Sequence, residues 1–196
     1  MLPDNALDAI AAFIWAELVA ASHDNDSQFR HAQLATVDPR GWAQSRTVIL
    51  RHVDAGRREV GFHTHRHSAK IAELQAAPAV TLLAYDRPRG LQLRLWGQAQ
   101  VHVEAPQAEE AWTALYPPLR APYRSRHAPG RPIEDPAAAD PTDAERDTPD
   151  HNSGYEDFAL VTVYLARLEW LQLRPSGHRR ARFYWGGRWQ GQWLAP

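Results

Sequence analysis

The chain contains S-R-T-V-I-L-R at residues 45–51, G-F-H-T-H-R-H-S-A-K at 61–70 and L-Q-L-R-L-W-G at 91–97, and these three segments decide its fold. Each is an apolar, alternating segment of the kind that forms a half-buried strand. A short helix is predicted between the second and third segments, from Ser68 to Ala77, and Pro78 ends it. The pattern therefore predicts strands joined by tight turns, with one helix that begins directly at a strand end.

The start of this short helix is a candidate anion site. Its first backbone N–H groups have no partner within the helix, and the N-terminal end of the helix dipole attracts anions. Ser68 is the predicted N-cap and Lys70 lies in the first turn. Lys70 is the only lysine; the other 21 of the 22 basic residues are arginines. Compositional drift and a need for a compact ammonium group explain the single lysine equally well. The helix start itself predicts a phosphate site.

Arg46 and Arg51 lie five residues apart on the first segment. Odd spacing places them on opposite faces of a strand unless a bulge intervenes. One of them can then clamp a phosphate while the other serves a neighbouring site or the strand end. For either arginine alone, an exposed and solvated charge is the ordinary alternative.

Composition excludes several classes of function. The chain of 196 residues is long enough for one domain with a sizeable core, and it has no apolar run long enough to cross a bilayer. Cysteine is absent, so disulfides, thiolate metal sites and cysteine nucleophiles are excluded. The first twenty residues carry no basic side chain, unlike a secretory signal, and we therefore expect a cytoplasmic protein.

Charge is unevenly distributed along the chain, whose net charge is −1. Residues 41–70 hold six basic side chains against Asp54 and Glu59, whereas residues 134–157 hold nine acidic side chains against Arg146. The low net charge argues against a nucleic-acid partner. A basic centre in a nearly neutral chain indicates a small anionic ligand instead.

The order of predicted elements indicates a mostly β fold, a closed or split β-barrel with helices packed on it. A Pro- and Asp-rich loop insert is expected at about 117–154 within a single domain spanning 1–196, and Gly97 is expected at a bulge or barrel corner. The predicted helices are 4–21, 68–77 and 106–115, and the predicted strands are 31–37, 43–52, 60–65, 79–85, 91–103, 158–165, 168–173, 179–184 and 188–194.

Taken in order, these segments resemble the pyridoxamine 5′-phosphate oxidases and their flavin-binding relatives. S-R-T-V-I-L-R resembles the family's R-x-V-L-L-K strand, and G-F-H-T-H-R-H-S-A-K-I-A-E-L resembles F-Y-T-N-x-x-S-R-K-x-x-E-L. L-Q-L-R-L-W-G resembles R-Q-V-R-V-x-G, and the C-terminal L-E-W-L-Q-L-R, R-A-R-F-Y and W-L-A-P resemble I-E-F-W-Q-G, H-D-R-x-x-Y and R-L-A-P. The likeness covers nearly the whole chain.

This resemblance implies an FMN-binding split β-barrel that forms a homodimer with the flavin at the subunit interface. By motif position, Arg46 and Lys70 would hold the FMN phosphate, with Ser68 at the helix start. The other residues matched to the cofactor are Val48, Ile49 and Leu50 along the isoalloxazine, Thr64, Gln92 at its pyrimidine edge, Arg182 near the C-terminus, and Arg51 and His63 where the family has lysine and tyrosine.

Some family positions are changed in this chain. The family's S-R-K is S-A-K here, so Ala69 replaces a phosphate arginine, and Leu171 replaces a flavin-contacting tryptophan although Trp170 is adjacent. The substrate-binding R-L-H segment is His-Arg-Arg at 178–180. These changes leave much of the predicted FMN site intact and alter the substrate side.

The substrate pocket departs further from the family pattern. In the family, the lysine at the position of Arg51 holds the substrate phosphate together with a Y-F-x-x-R-P-x-x-S helix, whereas this chain has Trp112, Tyr116 and Arg120 at roughly corresponding places. We therefore predict an FMN-dependent oxidoreductase acting on an unidentified small molecule rather than the vitamin B6 enzyme. We nominate no catalytic residue, because the chain has no Ser-His-Asp or paired-carboxylate pattern.

Two alternative classes remain open from the sequence. His63, His65 and His67 alternate, as they would on one strand face, and such imidazoles can bind a transition metal or haem. A C-terminal tryptophan repeat at every fourth residue, Trp185, Trp189 and Trp193, could serve a non-catalytic binding module, although such rings more often pack a barrel end or an interface. A protein that holds flavin without turnover is a third possibility.

Overall fold

The computed structural model describes residues 6–125, 127–139 and 152–196 of the chain. Its helices are α1 (Leu7–His23), α2 (Ala69–Ala76) and α3 (Pro106–Ala114). Its strands are β1 (His31–Val37), β2 (Ala43–Asp54), β3 (Glu59–His65), β4 (Ala79–Asp86), β5 (Leu91–His102), β6 (Phe158–Gln172), β7 (Arg179–Trp185) and β8 (Trp189–Leu194). Short 3-10 helices cover Gln28–Arg30, Pro117–Arg124, Pro136–Ala139 and Tyr155–Asp157.

The strands form one antiparallel sheet in the order β3-β2-β1-β4-β5-β6-β7-β8, and an additional β3–β6 pairing closes the first six strands into a barrel. Side chains alternate between the two faces of each strand, so one set fills the barrel. Leu34, Leu50, Phe62, Leu82 and Leu93 are fully buried members of that core. The mostly β barrel with flanking helices that we predicted from the sequence is therefore confirmed.

Strand β6 is a single strand of 15 residues, where the sequence predicted two strands separated near residue 166. Its partner β5 pairs Trp96 with Arg167 but Gly97 with Leu165, so Ala166 is an extra residue in a bulge. The bulge bends the strand without ending it. The first half of β6 pairs with β3 and closes the barrel, and its second half pairs with β7.

An opening separates β2 from β3. Residues 43–49 of β2 pair with β1, but β3 meets β2 only at residues 59–62 and then continues along β6. Between the two strands, the register shifts from Leu50–Phe62 to His52–Gly61, which leaves Arg51 as a bulge residue. We call this opening, between residues 43–49 and 63–65, the β2–β3 gap.

The helices and the hairpin β7–β8 cover the barrel. Helix α3 packs on β6 through a separate aromatic cluster in which Trp112 and Tyr123 contact the Phe158 ring at centroid distances of 5.3 and 5.1 Å. The predicted hairpin at Gly186-Gly187 is present, and Trp189 packs against Trp15 of α1 with ring centroids 6.1 Å apart. Trp189 therefore serves packing, whereas Trp185 and Trp193 are exposed.

Helix α1 and the predicted loop insert differ in part from the sequence predictions. Helix α1 spans Leu7–His23 where the sequence predicted 4–21, and residues 4 and 5 lie outside the described residues. Part of the predicted loop insert is ordered, because Pro117–Arg124 is a 3-10 helix that buries Tyr123. In the part of the chain that the structure describes, no helix is long and apolar enough to cross a membrane.

Gly97 is expected to be essential for the barrel corner. A Cβ atom at this position would lie 2.3 Å from the carbonyl oxygen of Tyr164 and 2.8 Å from Val163 Cγ1. We predict that Gly97→Ala lowers the free energy of unfolding by about 2–4 kcal/mol, because backbone on β6 must shift. Gly186→Ala is the control, since its nearest contact is a flexible side-chain atom at 3.5 Å. Equal stability of the two variants in urea unfolding would contradict this account of the corner.

Candidate functional site

A cluster of hydroxyl groups and one ammonium group lies where β3 runs into α2. Lys70 Nζ donates hydrogen bonds to Thr64 Oγ1 at 2.9 Å and to Ser68 Oγ at 3.2 Å, and the two hydroxyl oxygens are 3.2 Å apart. Ser68 occupies the predicted N-cap position, but its hydroxyl does not cap the helix. The hydroxyl faces Lys70 instead, so both backbone and side-chain donors converge at this helix end.

The Lys70 ammonium lies in an electropositive, partly buried setting. Burial lowers its pKa, the neighbouring Arg46 lowers it further, and Glu73 opposes both effects. Among the described residues, Lys70 bonds only to hydroxyl oxygens and forms no ion pair. Hydroxyls do not neutralise a cation, so an external anion is the natural counter-ion here.

Arg46 belongs to the same cluster, which we call the Lys70 cluster: Arg46, Thr64, Ser68 and Lys70. Its guanidinium donates to Glu73 Oε2 at 2.7 Å and to the hydroxyl of Thr36, which in turn donates to Glu73. Glu73 is buried on α2. The Glu73 carboxylate therefore fixes Arg46 at the edge of the β2–β3 gap. Arg46 and Lys70 together outweigh Glu73, so the site is net positive.

The β2 segment between the two predicted arginines presents its backbone rather than its side chains. Val48 and Leu50 point into the barrel core, while Ile49 is half-buried on the outer face. In the described sheet, residues 43–49 have a ladder partner only on the β1 side. A planar ligand at the gap would meet open backbone groups and Ile49.

The other two predicted residues of this region line a cleft of about 610 Å³ on the outer face of the barrel beside α3. Arg51 reaches it from the β2 bulge. His63 reaches it from β3, where it precedes Thr64 and points to the opposite face of the strand. Arg46 and Arg51 thus serve two different surfaces. We call this pocket the α3 cleft.

His63 is a neutral, packed imidazole. Its ring meets Phe158 edge-on at 4.9 Å, and its Nδ1 is buried with no hydrogen-bond partner among the described residues. Burial, and then the positive charge of Arg51, lower its pKa to about 4. Burial also lowers the pKa of Arg51, assisted by Arg30. Both shifts follow from placing cationic groups side by side in a poorly solvated cleft.

The three residues at the positions of the family's substrate-binding helix lie in different environments. Trp112 is buried, and the Arg120 guanidinium lies over its ring at 5.1 Å while donating to the carbonyl oxygens of Leu115 and Thr113. Tyr116 is exposed and lines the α3 cleft. Arg120 is therefore committed to holding the end of α3, which its sequence position did not reveal.

Gln92 and Arg182 lie far from the Lys70 cluster along the sheet. Thr64 pairs with Ala159 on β6, whereas Arg182 and Gln92 pair with residues 169 and 171 of the same strand. The partners of Arg182 and Gln92 are thus ten and twelve residues along β6 from the partner of Thr64. Arg182 instead donates to the buried carboxylate of Glu169, at 3.0 and 2.8 Å.

The alternating histidines do not converge. His63 faces the α3 cleft, while His65 and His67 flank Asp157 with nitrogen–oxygen distances of 3.8 and 3.4 Å. Across the described ranges, no group of three or more His, Asp or Glu side chains could hold a metal ion. The geometry gives the metal or haem alternative no additional support.

Comparisons with known proteins agree with this architecture. The family model described as pyridoxamine 5′-phosphate oxidase matches residues 23–150. A relative from Granulibacter bethesdensis, named pyridoxine/pyridoxamine 5′-phosphate oxidase, is 32% identical over 94% of this chain and 89% of its own length.

Two solved structures share the fold at 23% identity and a TM-score of 0.73. One is a pyridoxamine 5′-phosphate oxidase-related, FMN binding protein from Nostoc punctiforme, with 100% of this chain and 99% of that chain covered. The other is PhzG from Burkholderia lata in complex with tetrahydrophenazine-1-carboxylic acid, with 98% and 95% covered. The barrel with its β2–β3 gap thus has the split-barrel fold of these neighbours. The chain belongs to the pyridoxamine 5′-phosphate oxidase family.

Sequence reasoning missed several residues that shape the site. Glu73 and Thr36 fix Arg46, Glu169 fixes Arg182, and Glu59 is buried beside the α3 cleft. An isolated glutamate on a helix or strand carries no local signal of burial, because it is usually exposed. Only the three-dimensional pairing with arginine reveals the roles of Glu73 and Glu169.

The low pKa of His63 predicts a dependence of stability on pH. Below its ordinary pKa of 6.5 the unfolded chain binds a proton at His63, whereas the folded protein stays neutral there down to about 4. Stability is therefore lost as pH falls from about 6.5 towards 4, by about 3 kcal/mol from this group. His63→Phe keeps the ring contact with Phe158. Between pH 7 and 4, its free energy of unfolding in urea should fall by about 3 kcal/mol less than that of the wild type. Identical slopes for both proteins would refute this assignment.

Proposed function

We propose that this protein is an FMN-dependent oxidoreductase that holds the cofactor phosphate in the Lys70 cluster. The observation that carries the proposal is the half-buried ammonium of Lys70 at the start of α2, which donates to two hydroxyls and forms no ion pair with any residue that the structure describes. A phosphate there would accept charge-assisted bonds from Lys70 and Arg46 and hydrogen bonds from Thr64 and Ser68.

The residues around the β2–β3 gap suit the rest of the flavin. The unpaired edge of β2 offers backbone N–H and C=O groups to the polar edge of an isoalloxazine, and Ile49 offers an apolar contact. Ala69 supplies no charge where the family has an arginine, so Arg46 and Lys70 are the two positive charges of this cluster for the phosphate. When bound, FMN supplies the electron transfer. The chain binds and orients it and excludes water.

We further propose a homodimer in which each flavin site uses both copies. Gln92 and Arg182 match family positions that contact the flavin, yet their partners on β6 lie ten or more residues from the partner of Thr64 in the Lys70 cluster. A second copy can bring them to the cofactor. The arginines around Glu169 then serve the partner's site, while Glu169 keeps them ordered.

The substrate is proposed to differ from pyridoxamine 5′-phosphate, although the Granulibacter relative bears the name of the vitamin B6 enzyme. Arg120 bonds to backbone carbonyls and Trp112 is buried in the aromatic cluster, so neither is placed to hold a substrate phosphate beside Arg51. Turnover of pyridoxamine 5′-phosphate, followed by absorbance of the aldehyde product, should be absent or at least about 100-fold below that of the Granulibacter relative. Comparable rates would contradict the rewritten pocket.

Lys70→Ala should weaken FMN binding by about tenfold or more while leaving the unfolding curve nearly unchanged, because one charge-assisted phosphate contact is lost. Flavin fluorescence quenching in a titration measures the change. Arg66→Gln is the matched control. It also removes one positive charge close to α2, but the Arg66 side chain donates to Glu104 and does not belong to the Lys70 cluster. Equal affinity of wild type and Lys70→Ala would remove the basis of the proposal.

The shared site can be tested by mixing two defective proteins. Lys70→Ala and Gln92→Ala homodimers should both bind FMN weakly, because each alters a different half of both sites. Unfolding and refolding a mixture gives heterodimers with one intact site and one doubly altered site. We expect wild-type affinity to return at about one quarter of the sites, and no recovery would show that both residues act within one chain.

A further inference from the structure

Strand β8 leaves one edge of the sheet open. It is the last strand in the sheet order, and it pairs with β7 from Trp185–Trp189 to Arg180–Leu194. None of the other described strands pairs with its far edge. Alternate residues of an antiparallel strand direct their backbone N–H and C=O groups to opposite sides, so half of these groups in β8 point away from β7. The far edge is therefore a template on which a further strand can form.

The composition of β8 does not protect this edge. Natural edge strands usually carry charged residues or proline, which prevent pairing with another chain. Strand β8 reads W-Q-G-Q-W-L at residues 189–194 and contains neither. Gln190 and Gln192 are exposed, and the side chain of Trp193 is 43% exposed. An uncharged edge strand that carries a large exposed ring indicates that another strand pairs with it.

Helix α1 covers one face of β8 but not its edge. Trp189 packs against Trp15 with ring centroids 6.1 Å apart, and a Cβ atom at Gly191 would lie 3.1 Å from Leu7 Cβ. Residues two apart on a strand share a face, so α1 lies on the tryptophan face. The two glutamines point to the opposite face, beside the side chains of β7 with which they pair.

The sequence of β8 is a palindrome. W-Q-G-Q-W at 189–193 reads the same in both directions from Gly191. If two copies pair antiparallel about a two-fold axis at this glycine, Trp189 faces Trp193 of the partner subunit and Gln190 faces Gln192 of the partner subunit. Aromatic and hydrogen-bonding cross-strand pairs stabilise a sheet. Because the strand is neutral, it also carries no charge that its own copy would repel. The edge is therefore complementary to itself.

We propose that β8 pairs with β8 of a second copy of this chain, antiparallel and centred on Gly191. Trp193 of the partner subunit then joins the cluster in which the rings of Trp189 and Trp185 lie 5.4 Å apart, and its exposed ring is covered. The pairing needs no cofactor. It uses the edge of β8, whereas the shared flavin site uses the Lys70 cluster and the outer face around Arg182, so neither contact depends on the other.

Disulfide cross-linking tests this register, because the chain has no cysteine of its own. Gln190→Cys and Gln192→Cys are purified separately, mixed at equal concentration and oxidised without flavin. Residues 190 and 192 of opposite copies would have Cα atoms about 5 Å apart, within reach of a disulfide. Two copies of the same residue would be about 8 Å apart, which is too far. We expect the mixture to cross-link at least about fivefold faster than either variant alone.

A mixture of Gln75→Cys and Gln190→Cys is the control for random collision, because Gln75 is exposed on α2, away from β8. Equal cross-linking rates in all four samples would overturn the proposal. Faster cross-linking of Gln190→Cys alone than of the mixture would also overturn it, because the strands would then pair in another register.

Charged variants test the same contact without cysteine. In Gln190→Glu/Gln192→Lys, opposite charges would face each other across the two-fold axis, whereas in Gln190→Lys/Gln192→Lys like charges would. The two variants differ at one exposed residue, and urea unfolding curves check that both are folded. Measured by sedimentation velocity without flavin, the all-lysine variant should self-associate at least about fivefold more weakly. Equal association constants, or no self-association of either variant, would contradict the pairing.

Discussion

The departure of β3 from β2 is the constraint on which the rest of the structure depends. The second half of β2 pairs with the start of β3, but after Phe62 strand β3 continues along β6 and leaves the first half of β2 without a ladder partner on that side. Backbone groups at an open sheet edge can bond to another group that approaches it. The pairing of β3 with β6 therefore closes the barrel and at the same time leaves the β2–β3 gap open.

Two charged surfaces are created by this departure. Because β3 continues past the gap, Thr64 faces the start of α2 and meets Lys70, while His63 faces outward to the α3 cleft. Arg46 and Arg51, five residues apart on β2, also serve different surfaces, with Arg46 at the Lys70 cluster and Arg51 in the α3 cleft. Two surfaces that carry basic side chains therefore lie next to each other on the barrel.

Much of this architecture could be predicted from the sequence, for reasons that are local. Strand β1 alternates strictly and is bounded by turn residues, and its predicted limits are those of the structure. The helix at Ser68 and the Gly97 bulge also follow from local rules. The single strand β6 was missed, because the bulge at Ala166 interrupts the alternation in the same manner as a turn.

The parts that could not be predicted depend on residues distant in sequence. The burial of Glu73 requires Arg46 and Thr36 from two other strands, and the role of Arg120 requires carbonyl groups exposed at the end of α3. Motif position placed Val48 and Leu50 along the flavin, whereas the alternation of β2 places their side chains in the core. The resemblance to the family indicated the candidate residues. Only the packing shows that they lie on two different surfaces.

The claim at the centre of this account is that the Lys70 cluster holds a phosphate. A comparison of FMN with riboflavin, titrated against the wild-type protein under identical conditions, tests it most directly, since the two flavins differ only in that group. The account predicts that FMN binds at least about tenfold more tightly than riboflavin, and that the difference shrinks as pH rises through the lowered pKa of Lys70. Equal affinities for the two flavins would contradict it.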